Sequence, residues 1–130
     1  MTAVAALPLS AELLTVLAEL GHSQPTEIQT LAIPPLLAGR DVIGQSQTGS
    51  GKTAAFCLPI LERLPRGPQR VLRALVLCPT RELCAQVARE LRRLGRRHAG
   101  LSVLTLAGGE PIGPQFARLE RGVHVVVGTP

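Results

Sequence analysis

Residues 45–56 read QSQTGSGKTAAF. Three small residues, Gly49, Ser50 and Gly51, stand directly before Lys52. Lys52 is the only lysine among the fourteen cationic residues of the chain; the others are arginine. A chain that uses arginine wherever charge alone is wanted, and keeps one lysine after a glycine loop, points to a chemical demand at that position. The pattern small-x-x-x-x-Gly-Lys-Thr is filled by Ser46, Gly51, Lys52 and Thr53, with serine where glycine is usual. Gly49 and Gly51 lack a Cβ, so their backbone can turn N–H groups inward and approach a phosphate closely. The helix expected from about Lys52 to Leu64 offers its positive dipole end to the same anion. Lysine supplies a compact point charge for β and γ phosphates, where arginine's planar fork fits less well. The Thr53 hydroxyl is a ligand for Mg²⁺. The plain alternative is a Gly/Ser turn with an incidental lysine. It fails on the coincidence that the sole lysine occupies the one position the motif requires.

At 130 residues the chain forms at most one domain and can bury a core. Aromatics amount to two Phe, so that core must be Leu, Val, Ile and Ala. The net charge of +5 favours a polyanionic partner such as nucleic acid, although arginine bias in coding accounts for it equally well. Cys57, Cys78 and Cys84 are odd in number and lack zinc-ligand spacing, which reads as buried thiols in a reducing, cytoplasmic compartment. No run of 18 apolar residues is present, so no membrane helix is expected.

Working outward from the loop, strand and helix alternate. Ser10 is a candidate N-cap for a helix ended by Gly21, and Thr26 caps a second helix through about Leu37 that Pro34 should kink. A short strand is expected at Asp41 to Gly44, just before the loop. Ala74 to Cys78 is a continuous apolar run, as for a strand buried on both faces. Thr80 then caps a helix of about 18 residues with Leu83, Val87, Leu91 and Leu94 on one face. A strand over Leu101 to Ala107, a short helix around Gln115 to Leu119 and a strand over Val123 to Val127 follow. This is the pattern of an α/β domain with a mostly parallel sheet.

Short stretches around the loop add a family. GHSQPTEIQ (21–29), the loop QTGSGKT, PTREL (79–83), GG (108–109) and TP (129–130) occur in the order and spacing of a DEAD-box RNA helicase. They resemble its Q motif, motif I (46–53), motif Ia, GG motif and the start of motif Ib. The wording LVLCPTREL and LTLAGGEPIGPQ is further similar to the bacterial DbpA-type branch. The resemblance covers nearly the whole chain and implies a P-loop, RecA-like fold that binds ATP with Mg²⁺. It also implies that Gln29 hydrogen-bonds the adenine edge with Thr26 nearby, an amide matching adenine's N6 donor and N7 acceptor. Gln47, Thr48, Gly49, Ser50, Gly51, Lys52 and Thr53 would hold the phosphates and the metal. Thr80, Arg81, Gly108, Gly109 and Thr129 would contact the RNA sugar-phosphate backbone, with ribosomal RNA as one candidate. Each has a blander reading: Gln29 a surface amide, Thr80 an N-cap, Arg81 a solvated first turn, Gly108-Gly109 a strand-ending turn. Arg89, Arg92, Arg93, Arg96 and Arg97 read mainly as a solvated helix face, with an auxiliary RNA-facing patch as the second reading.

The chain departs from that pattern in places. Val4 stands where the family has an aromatic that packs on adenine, and His22 where Tyr or Phe is common. Losing base stacking is worth roughly 1–3 kcal/mol. Ser46 and Cys84 replace alanines. The 130 residues contain no Asp-Glu-Ala-Asp stretch, so no complete catalytic set is present. The expectation is therefore the ATP-binding part of a helicase, cut before that motif, without the C-terminal helicase domains and without ATPase activity of its own. The alternatives are a naturally short, non-catalytic nucleotide- or RNA-binding module, and another P-loop ATPase such as a DNA helicase.

Overall fold

Short polar side chains open the helices by supplying the acceptor that a first helical turn lacks. The Ser10 hydroxyl accepts from the Leu13 N–H and begins α1 (Ala11–Glu19). Thr26 accepts from the Gln29 N–H and begins α2 (Glu27–Leu37). The computed structural model describes residues 3–49, 51–67 and 69–130, and the chain divides into two compact units, Met1–Arg63 and Leu64–Pro130.

In the first unit a 3₁₀ turn (Val4–Ala6) precedes α1. Leu13, Val16 and Leu17 of α1 are buried. Gly21 ends it in a left-handed conformation, with Gly21 N–H bonding Ala18 O and His22 N–H bonding Leu17 O, a Schellman closure. The same closure ends α2, where Gly39 N–H reaches Leu36 O and Arg40 N–H reaches Pro35 O. Pro34 and Pro35 both lie inside α2, which nevertheless runs to Leu37. α3 (Lys52–Arg63) buries Ala55, Cys57, Leu58 and Leu61 and packs against α2. The Ser10 N–H donates to Glu62 Oε2 at 3.1 Å, tying the start of α1 to the end of α3.

The strand expected at Asp41 to Gly44 does not form. The segment carries no strand assignment and pairs with none of the three strands of the described sheet, and Ile43 is 95% exposed. An extended apolar segment becomes a strand only when a neighbour takes up its backbone groups.

The second unit contains β1 (Ala74–Leu77), α4 (Arg81–Leu94), β2 (Val103–Leu106), α5 (Ile112–Arg121) and β3 (Val125–Gly128). The sheet has the order β1-β3-β2 and both pairings are parallel, Val125 opposing Ala74 on one side and Val103 on the other. Helical crossovers allow this, since parallel neighbours cannot be joined by a hairpin. β3 lies in the centre and is buried along its length. The expectation of a doubly buried strand fails for β1: Leu75 and Leu77 are 64% and 59% exposed. β1 is an edge strand of the described sheet, and no described residue of its own unit covers the face those two side chains occupy. α4 runs 14 residues rather than about 18 because Gly95 caps it. Cys84, Val87, Ala88, Leu91 and Leu94 form its buried face, whereas Leu83, expected there, is exposed. α5 is longer than expected and buries no residue fully.

Candidate nucleotide and RNA-backbone sites

Thr26 and Gln29 form a reciprocal capping box at the start of α2. Gln29 N–H donates to Thr26 Oγ1 at 3.4 Å, and Thr26 N–H donates to Gln29 Oε1 at 3.1 Å. The same Gln29 amide donates through Nε2 to the Gly51 carbonyl at 3.2 Å. The end of the 21–29 stretch therefore grips the glycine loop directly. Gly51 has φ +87°, and a Cβ there would lie 2.5 Å from Gln29 Nε2 and 2.8 Å from Thr26 Oγ1. Gly49 has φ +83° and faces open space. The two expected glycines thus serve differently: Gly49 for the turn alone, Gly51 for the turn and for close packing.

Gln47, Thr48, Gly49 and Lys52 are exposed, and Ser46, Gly51 and Thr53 are half-buried, so the loop is open to a ligand. Ser50 lies outside the described residues. Lys52 Nζ donates to the Ser46 carbonyl at 2.7 Å, folded back over its own loop. A phosphate oxygen would compete for that ammonium as a charged acceptor in place of a neutral one. Beside the loop is a cleft of about 460 Å³ lined by Thr26, Glu27, Ile28, Leu31, Gln45, Ser46 and Gln47. Among the described residues no group of three or more His, Cys, Asp and Glu could hold a metal. A hard cation at the loop would therefore have to draw most of its ligands from phosphate oxygens. Val4, where the resemblance implies an aromatic, is buried in the first unit, and its N–H donates to Ser23 O.

The five residues expected to touch RNA lie together at the C-terminal edge of the sheet. Thr80 follows β1, Gly108 and Gly109 follow β2, and Thr129 follows β3. The Cys78 N–H bonds Gly128 O, and the Thr129 N–H bonds Leu106 O, so the three strand ends are held side by side. Thr80 is an N-cap as well, its hydroxyl accepting from the Leu83 N–H at 3.2 Å. The Arg81 guanidinium lies against Gly109, where a Cβ would be 3.6 Å from Arg81 Nη2. Gly128 has no signal in the sequence: a Cβ there would come 3.0 Å from Leu106 O, and no local pattern marks that approach.

All three cysteines are buried free thiols. Burial pushes the Cys78 thiol up, and the neighbouring Cys84 adds to it, which favours the neutral thiol. Near the opposite edge, His124 accepts the Ser102 N–H on Nδ1 at 3.1 Å, and its ring meets His98 edge to face with centroids 5.5 Å apart. Burial lowers the His124 pKa, with His98 and Arg70 lowering it further and the Gln69 carbonyl opposing them.

Residues 26–130 match the family described as DEAD/DEAH box helicase. The chain belongs to this family. Its DEAD-box relatives include the RNA helicase CrhR of Synechocystis sp., 50% identical over 124 residues, covering 95% of this chain and 25% of that protein. The ATP-dependent RNA helicase DbpA of Escherichia coli is 50% identical over 117 residues, covering 90% and 25%. Among solved structures, a DEAD box protein from Methanococcus jannaschii superposes with a TM-score of 0.90 at 36% identity, covering all of this chain and 35% of that one. The expected α/β, RecA-like fold with a parallel sheet is thus the observed one. The chain spans about a quarter of the length of these curated relatives.

Proposed function

We propose that these residues are the ATP–Mg²⁺ and RNA-backbone binding part of an ATP-dependent RNA helicase. The observation that carries this reading is the Gln29 amide bonded to the Gly51 carbonyl, which couples an adenine-reading side chain to a phosphate-holding loop. In this reading Thr26 and Gln29 select adenine, and Gln47, Thr48, Gly49, Ser50, Gly51 and Lys52 hold the phosphates. Thr53 completes the metal's ligands. Thr80, Arg81, Gly108, Gly109 and Thr129 hold the RNA sugar-phosphate backbone without reading bases. The remaining catalytic groups, including the acidic pair that orients the attacking water, would come from C-terminal helicase domains, acting in the cytoplasm on substrates such as ribosomal RNA. No helix among the described residues is long and apolar enough to cross a membrane.

Titration of the chain with a fluorescent ATP analogue in Mg²⁺ tests the reading. Lys52→Ala should weaken binding by about tenfold or more, since it removes a charge-assisted contact. Gln29→Ala should narrow the preference for ATP over GTP. Equal affinity of the Lys52→Ala variant and the parent would refute the site. The 130 residues, lacking an Asp-Glu-Ala-Asp stretch, should release no phosphate above background with or without RNA.

A further inference from the structure

The positive charge is unevenly placed. The first unit holds three cationic side chains against five acidic ones, a net −2, and the second holds eleven arginines against four glutamates, a net +7, which together give the chain's +5. Within the second unit only Arg81 belongs to the expected RNA edge. The connection into β1 carries Arg66, Arg70 and Arg73, the end of α4 and the segment after it carry Arg92, Arg93, Arg96 and Arg97, and the end of α5 carries Arg118 and Arg121. Because the strands are parallel and the helices return antiparallel to them, those nine arginines collect at the N-terminal edge of the sheet. Only Glu90 and Glu120 accompany them at those helix ends.

Some of these side chains are engaged. Arg93 pairs with Glu90, and Arg92 donates to the Val103 carbonyl. Arg70 and Arg121 instead line a cleft of about 690 Å³, together with Gly67, Ala99 and Gly100. Their proximity is built in. Gly122, at φ +91°, lets the Arg70 backbone approach so closely that a Cβ there would lie 2.7 Å from Arg70 O. Among the described residues no carboxylate lines the cleft. A cleft of this size accommodates a nucleotide unit, and paired guanidiniums are suited to a phosphodiester.

We infer that the Arg70–Arg121 cleft is a second phosphate-binding surface for an RNA strand, on the sheet edge opposite Thr80, Arg81, Gly108, Gly109 and Thr129. It rests on the reading of RNA as the partner. A lipid surface fits less well, because the lining is concave and has no large apolar or aromatic side chain to enter a bilayer.

The test is anisotropy of a fluorescent oligouridylate with the 130-residue chain, without nucleotide, as salt is raised from about 50 to 200 mM. Each single-strand phosphate contact contributes a slope of about 0.7 in log K against log salt, so the double variant R70Q/R121Q should flatten it by about 1.4. R70K/R121K should keep the parent slope. Arg81→Gln is measured in parallel. If Arg81→Gln flattens the slope and R70Q/R121Q does not, the cleft is overturned while the opposite edge stands. If R70Q/R121Q flattens it and Arg81→Gln does not, the cleft stands and the opposite edge fails. If neither changes it, both surfaces are overturned, and absence of any binding by the parent chain overturns RNA as the partner. Loss of binding to phosphatidylserine vesicles in R70Q/R121Q, with RNA binding unchanged, also overturns the inference.

Discussion

A methyl group on Gly51 would collide with Gln29 Nε2 at 2.5 Å and with Thr26 Cγ2 at 2.9 Å, while φ +87° already disfavours any L side chain. Gly49→Ala meets open space and should cost only the backbone strain, about 1 kcal/mol. Gly51→Ala adds the displaced cap and should cost about 2 kcal/mol or more, read as the difference in urea midpoints. His124 makes a pH prediction. Its folded pKa lies below the ordinary 6.5, so as pH falls the unfolded chain takes the proton first. Its contribution is complete above about pH 6.5 and is lost as pH falls through that value toward the folded pKa. Burial sets it first, with His98 and Arg70 lowering it further, the Gln69 carbonyl opposing them, and the Ser102 N–H held on Nδ1. Urea unfolding at about pH 7.5 and pH 5.5 should show the loss. His124→Asn, whose Oδ1 can replace Nδ1 as acceptor for Ser102, should shrink it.

Helices in this chain are delimited by caps more than by propensity. α2 contains two prolines yet holds together, because Thr26 and Gln29 satisfy its first turn and Gly39 closes its last. Thr26→Ala should therefore destabilise the first unit by about 1 kcal/mol, with Thr26→Ser close to neutral, checked by thermal unfolding followed by helical circular dichroism. The threonine caps of α2 and α4 were legible in the sequence, since a cap is written within four residues. The length of α4 was not, because its heptad-like run of arginines past Leu94 continues the helical pattern while Gly95 ends the helix.

Across the whole molecule, exposure divides the sheet. Val127, central and fully buried, should cost roughly 2 kcal/mol on substitution by alanine, from lost burial and a cavity. Leu75→Thr and Leu77→Thr, on the uncovered face of β1, should change stability by no more than about 0.5 kcal/mol and raise solubility. Urea titrations of the three variants, with a light-scattering measurement beside them, decide it. A large loss at Leu75 would mean that this face is covered in solution.

What the sequence by itself determined is what operates over a few residues: the glycine loop before Lys52, the caps at Ser10, Thr26 and Thr80, and the alternation of apolar runs with helical faces. Backbone sterics and first-turn hydrogen bonds act locally, so they can be read locally. Only the tertiary structure decided the rest. Gln29 reaches Gly51 across 22 positions. Asp41 to Gly44 forms no strand, and Leu75 and Leu77 stay exposed. Nine of the thirteen arginines gather at the edge of the sheet opposite Thr80, Gly108 and Thr129. Each of these depends on which neighbour supplies a hydrogen bond, a cover or a like charge, and neighbours distant in the chain are chosen by the fold.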